Sequence, residues 1–146
     1  MTKRTLYAIL TLMSVIGIDF GTRRIGLAVC HDGTSVAVKA GIIDARESLK
    51  KQFAVIVEKY SPELFVIGNP LDLHGNAGPM SEKTSKFAAK MQSWFGVECV
   101  LWDERYTSAQ ADFAAELFRE KGDRDQASAV LILQSYLDSK AQRQDN

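Results

Sequence analysis

The strongest constraint on this chain is the run Ile16-Gly17-Ile18-Asp19-Phe20-Gly21-Thr22-Arg23-Arg24-Ile25-Gly26, where an apolar segment ends on one carboxylate and turns at once into a second apolar segment. Val15 to Ile18 and Ile25 to Cys30 read as two strands joined by a tight Gly-Thr-Arg-Arg turn. Such a turn sets Asp19 at the mouth of a sheet. There an acidic side chain can hold a metal ion, contact a metal-bound phosphate, or accept backbone N–H bonds and simply close the turn.

The periodicity beyond this point places the remaining elements. Val36 to Ile43 is a third β-rich run, and the short connections predict a three-stranded antiparallel meander. Leu49, Phe53, Ile56, Val57 and Tyr60 then recur at helical spacing until Ser61-Pro62 stops them. Leu64 to Ile67 is continuously apolar, as a central strand covered on both faces must be. A Gly-, Pro- and Asn-rich loop is expected over 68–79, then a helix carrying Met80, Phe87, Met91 and Phe95 and capped by Gly96. Val97 to Trp102 reads as a strand closed by Asp103-Glu104-Arg105. Thr107 to Gln110 has the form of a capping box opening a helix through Lys121, with Phe113, Ala114, Leu117 and Phe118 as its buried stripe. The final helix is expected from Asp125 to Lys140, apolar around most of its girth. The order βββαβαβαα predicts an α/β fold, with a five-stranded mixed sheet of three antiparallel and two parallel strands and helices on both faces.

At 146 residues the chain is one domain, placed at 14–140, with an N-terminal extension over 1–13 and a C-terminal tail over 141–146. The extension is expected to be disordered or to precede a true start at Met13. Its apolar stretch after Lys3 and Arg4 resembles a secretory signal, but it is shorter than the ~20 residues of a membrane span and removing it would delete the first strand. A cytoplasmic protein without a membrane partner is expected. The 18 basic and 18 acidic residues cancel, so a nucleic acid must be met by a local patch rather than by a global field. Cys30 and Cys99 lie in strand-like runs without a CxxC pattern, which suits buried thiols in a reducing compartment.

Acidic residues stand at three element ends: Asp19, the Asp103-Glu104 pair and Asp125. Ligand sites in open α/β sheets lie beyond the carboxyl ends of the parallel strands, and converging carboxylates there suit hard cations such as Mg²⁺. Two such ions, roughly 3.5–4 Å apart, activate a water and stabilise the leaving oxygen of a phosphodiester. Each residue also has a structural reading: Asp19 as a turn aspartate, Asp103 or Glu104 as a partner of Arg105, Asp125 as a helix N-cap. Asp103 and Glu104 face opposite ways if extended, so one of them enters a site.

Ile18 to Gly26, Ile67-Gly68-Asn69-Pro70-Leu71 with Gly75, Asp103 to Ser108, and Asp125 to Leu137 together resemble the four signature blocks of the YqgF/RuvX family, in order from about Ser14 to Leu137. The resemblance implies an RNase H-like fold. It also implies the activity described for the family, as a Holliday junction resolvase and as the nuclease maturing the 5′ end of pre-16S ribosomal RNA. By the same resemblance Asp19, Glu104 and Asp125 are the catalytic, metal-binding carboxylates, holding Mg²⁺ or Mn²⁺ as two ions. Ala127, Ser128 and Ala129 are small enough to let the last helix approach the sheet. The chain departs from the family in the short segment Lys121-Gly122-Asp123-Arg124, which leaves Asp123 as a competing candidate.

Cations for phosphate contacts are expected from Arg23, Arg24 and Arg105. Lys83, Lys86 and Lys90 share a helix face that is either a substrate surface or merely solvated. Gly75 offers a backbone N–H, His74 a loop imidazole, and Trp94, Trp102 and Tyr106 either stack on bases or pack in the core. The expected function is a metal-dependent nuclease acting on precursor rRNA, with a ribosomal particle as a possible partner. Three alternatives stand beside it: a junction resolvase, a non-catalytic RNA-binding assembly factor, and an ATP-binding module. The last rests on Asp-Phe-Gly-Thr, which also resembles the phosphate loop of the actin, Hsp70 and sugar-kinase superfamily. Those proteins clamp nucleotide between two such domains, and this chain supplies one.

Overall fold

Alternation along the strands decides which side chains meet which helices. The computed structural model describes residues 14–31, 34–104 and 124–144, with side chains through 141 in the last helix. Its five-stranded sheet has the order β3-β2-β1-β4-β5. β1 (Val15–Asp19), β2 (Arg24–Cys30) and β3 (Val38–Asp44) form the antiparallel meander, while β4 (Leu64–Asn69) runs parallel to β1, and β5 (Glu98–Asp103) parallel to β4.

Ile16, Ile18, Ile25, Leu27, Val29, Phe65 and Ile67 project to one face and pack with Phe53 of α1 (Leu49–Tyr60) and with Phe87 and Met91 of α2 (Pro79–Phe95). Val15, Ala28, Cys30, Leu64 and Val66 project to the other face, under Ala129, Val130, Ile132, Leu133 and Tyr136 of α3 (Arg124–Gln144). Each fully buried aliphatic or aromatic side chain contributes roughly 1.5–3 kcal/mol relative to exposure, so the two clusters hold the layers together. The expected layering is met, with helices on both faces.

Local signals fix the helix ends. The Ser48 side chain accepts from the Lys51 N–H, and the helix stops at Ser61, whose φ of 44° is left-handed, just before Pro62. α2 opens with Pro79 in its first turn, where the missing N–H costs nothing. It ends at Gly96, φ 65°, whose N–H donates to the Gln92 carbonyl at 2.9 Å.

Several boundaries differ from the sequence reading. β3 begins at Val38 rather than Val36, because backbone 35–37 is engaged by a side chain instead of a strand. The Gln134 carbonyl oxygen accepts from the Ala37 N–H at 2.9 Å, and its amide nitrogen donates to the Ser35 carbonyl at 3.1 Å. Gly68 and Asn69 extend β4, and Pro79 belongs to α2, so the loop spans 70–78. α3 continues to Gln144, past the Lys140 end and into the segment read as a tail. The expected extension over 1–13 and the helix expected over 107–121 lie outside the described residues. Cys30 is buried and Cys99 half-buried, and the two are not joined in a disulfide. Burial pushes the Cys99 thiol up to about 11, which leaves it protonated and unreactive.

Candidate active site

Strand parity carries Asp19 to the face covered by α3. Val15 and Gly17 face α3, and two residues on Asp19 does the same; the intervening Ile16 and Ile18, and then Phe20, face the other way. Phe20 stacks on Phe87 with ring centroids 4.6 Å apart, which anchors the turn from below and aims Asp19 at α3. The same parity explains the choice between Asp103 and Glu104. Val100 and Trp102 pack toward α3, so Glu104, next in that series, lines a cleft with Asp19, while Asp103 does not. Trp102 is fixed by its Nε1–H donating to Ser135 Oγ at 3.1 Å and by an edge contact with Tyr136, which makes it core rather than a stacking platform.

The helix can lie so low because the sheet carries glycines where it crosses. A Cβ at Gly17 would stand 2.6 Å from Leu133 Cβ, and one at Gly26 would collide with the Asp125 carbonyl oxygen. At Gly68 it would come within 2.5 Å of Ile132 Cδ1 and 2.6 Å of Glu104 Oε1. The small residues expected on α3 are therefore matched by small residues on the sheet, with Ala127 and Ala129 fully buried between them.

The resulting cleft, about 120 Å³, is lined by Asp19, Glu104, Ser128, Leu131 and Ile132. Burial, then the charges of Glu104 and Asp125, push the Asp19 carboxyl up to about 7, against a weaker pull downward from its hydrogen bond with Ser128. Burial and the Asp103 charge raise the Glu104 carboxyl as well. Ser128 is a site residue that the sequence reading treated only as small. Its signal was spacing, since 128 and 132 follow 125 by roughly one and two turns on one helix face.

Asp125 lies in the first turn of α3, after Arg124, rather than at the N-cap. It is not among the cleft-lining side chains: its Oδ2 pairs with Arg24 Nε at 3.0 Å. Arg24, expected at a phosphate, is thus engaged with a carboxylate in this structure, and Arg23 is exposed. Among the described residues no three His, Cys, Asp or Glu side chains are grouped closely enough to hold a metal ion. The donor chemistry still fits a hard cation, because two desolvated carboxylates with raised pKa values are what a divalent ion would neutralise.

Lys83, Lys86 and Lys90 are exposed on α2, as is His74 in the preceding loop. The Gly75 N–H donates to the Asp72 carbonyl at 3.0 Å and the Asn76 N–H to Asp72 Oδ1 at 2.8 Å, so both serve the loop's own turn instead of an anion. Arg105, Tyr106 and Asp123 lie outside the described residues. No helix among the described residues is long and apolar enough to cross a membrane.

A mixed sheet in this strand order, with a helix crossing it above the ends of β1 and β5, is the RNase H-like fold. Solved structures agree on the fold. Thermus thermophilus RuvC, solved with a Holliday junction substrate, superposes with a TM-score of 0.63 at 15% identity, covering 92% of this chain and 97% of that one. The fowlpox virus Holliday junction resolvase gives 0.57 at 18% identity, covering 87% and 99%. The family model described as "RuvX: Holliday junction resolvase" matches residues 13–139, and the chain belongs to that family. A protein of Ruminiclostridium cellulolyticum named "Putative pre-16S rRNA nuclease" is 36% identical over 134 residues, 86% of this chain and 94% of the relative. One of the same name from Caldanaerobacter subterraneus subsp. tengcongensis is 37% identical over 136 residues, 88% and 98%.

Proposed function

We propose that this chain is a divalent-metal-dependent nuclease that hydrolyses phosphodiester bonds of precursor 16S rRNA, with Asp19, Glu104 and Asp125 as its metal-binding carboxylates. The observation that carries the reading is the Asp19–Glu104 pair. Two partly desolvated carboxyls share one cleft, and the Glu104 charge disfavours that of Asp19, so an ionised Asp19 is costly there until a proton or a cation offsets it.

A bound Mg²⁺ or Mn²⁺, or a pair of such ions, supplies Lewis acidity to the phosphodiester and a water of lowered pKa. The chain's own groups do the positioning. Asp19 and Glu104 offer oxygen ligands from two rigid strand ends, and Ser128 holds the Asp19 carboxylate in orientation. Leu131 and Ile132 wall the cleft and limit water on the helix side. Arg23, Arg24 and Arg105 meet backbone phosphates, and Lys83 and Lys86 extend the cationic path along α2. Gly75 stays in the proposal as a shaper of the loop beside that path, since its N–H is used within the turn.

The RNA reading is supported by sequence identity of 36–37% to relatives named for pre-16S rRNA, whereas the likeness to RuvC, at 15%, bears on the fold. The description of the family model favours a second reading, a four-way DNA junction as substrate. The cytoplasm, where ribosomal precursors are processed, is the proposed location. Side-by-side cleavage of leader-bearing pre-16S RNA and a four-way DNA junction, with Mg²⁺ or Mn²⁺, tests both. Cleavage of the RNA alone supports the proposal, cleavage of the junction alone replaces it with resolution, and binding of both without cleavage leaves a non-catalytic RNA-binding protein.

A further inference from the structure

Asp125 stands at a fork. Its backbone is fixed, because its carbonyl oxygen rests against Gly26 with no space between them, so the position of its carboxylate is decided by side-chain rotation alone. On one side is Arg24, 3.0 Å away and 69% exposed. On the other is the cleft. Ser128, three residues along the same helix face, already lines it and hydrogen-bonds to Asp19, and the Asp125 charge is felt at Asp19.

The geometry points to Arg24 as an exchangeable counterion: paired with Arg24, the Asp125 carboxylate stays beside the cleft instead of lining it, and a divalent cation in the cleft competes with Arg24 for Asp125 as a third ligand. Resting on the metal-nuclease reading, this makes Arg24 a positioning residue that sets cation affinity. With Asp125 turned in as well, three carboxylates would crowd one small cleft without a cation. Pairing with Arg24 relieves that repulsion, and by linkage whatever stabilises the metal-free arrangement weakens metal binding by the same factor.

Isothermal titration of the full chain with Mn²⁺, without nucleic acid, tests the exchange. Arg24→Ala is expected to tighten Mn²⁺ binding about two- to fivefold, the range that a partly exposed ion pair supports. Arg24→Lys is expected to stay near wild type, and Arg23→Ala, which removes an equal charge nearby, to change affinity less than Arg24→Ala. In an Asp125→Asn background the effect of Arg24→Ala is expected to vanish. An equal tightening in that background, or none in Arg24→Ala itself, overturns the exchange. If Asp19→Asn still weakens Mn²⁺ binding in that case, the metal-site reading stands alone; if the wild-type chain binds no Mn²⁺, both fall.

Discussion

Gly26 of β2 lies directly against the backbone carbonyl of Asp125 in α3, and a side chain at this position would have to occupy the same space as that oxygen. The contact sets the height of the helix over the sheet, and with it the reach of Ser128 and Asp125 toward Asp19. Because the obstacle is backbone, it cannot swing aside. Gly26→Ala is therefore expected to cost about 1–3 kcal/mol or more, the range for overpacked interiors, as a lowered midpoint in denaturant unfolding.

Gly68 offers the opposite balance. A Cβ there meets the ends of two side chains, Ile132 and Glu104, which can move. Gly68→Ala is expected to change stability by less than about 1–2 kcal/mol while turning Glu104 away from Asp19. Comparing the unfolding midpoint with the cleavage rate checks this: the rate should fall out of proportion to the stability.

The elements among the described residues were legible in the sequence to within a few residues because strand alternation, the Ser61-Pro62 stop and the Gly96 cap are local. The position of Asp19 at the strand end was legible for a related reason, and parity along the strand allowed only one of Asp103 and Glu104 into the cleft; the choice of Glu104 came from the family resemblance, and the structure places Glu104 beside Asp19. What the sequence concealed was relational. Nothing near Asp125 says that its carboxylate rests on Arg24, a residue about a hundred positions away in the chain. Gly75 looked like a donor to an anion because a glycine-rich loop does not reveal that Asp72 uses its N–H groups. Gln134 bridging to 35–37 was invisible for the same reason, as a polar residue on an otherwise apolar helix.

Stability should depend on pH through Asp19. Its carboxyl titrates near 7 in the folded chain against an ordinary value of 3.8, chiefly through burial. Between those values the folded chain holds a proton that the unfolded chain has released. The contribution to stability is therefore full below about pH 4 and is lost as pH rises toward about 7. In metal-free buffer the melting temperature of wild type should fall over this window more than that of Asp19→Asn. Added Mg²⁺ at about pH 8 should restore stability to wild type and do little for the variant.

Lys83 and Lys86 are exposed and carry no role in the packing of α2. The double variant Lys83→Ala, Lys86→Ala should fold normally and bind RNA more weakly. Its log–log salt dependence should become shallower by about 0.7 for each single-strand phosphate that the lysines neutralise in the wild type. An unchanged slope would mark that face as merely solvated.

The central claim, that Asp19 is a metal ligand for phosphodiester hydrolysis, is tested most directly by cleavage of leader-bearing pre-16S RNA in Mn²⁺ by wild type and Asp19→Asn, with circular dichroism on both. The structure predicts cleavage by the wild type and, in an equally folded Asp19→Asn, a rate at least about a hundredfold lower, the scale of losing a principal charge-stabilising group. Equal cleavage by the two folded proteins would contradict it.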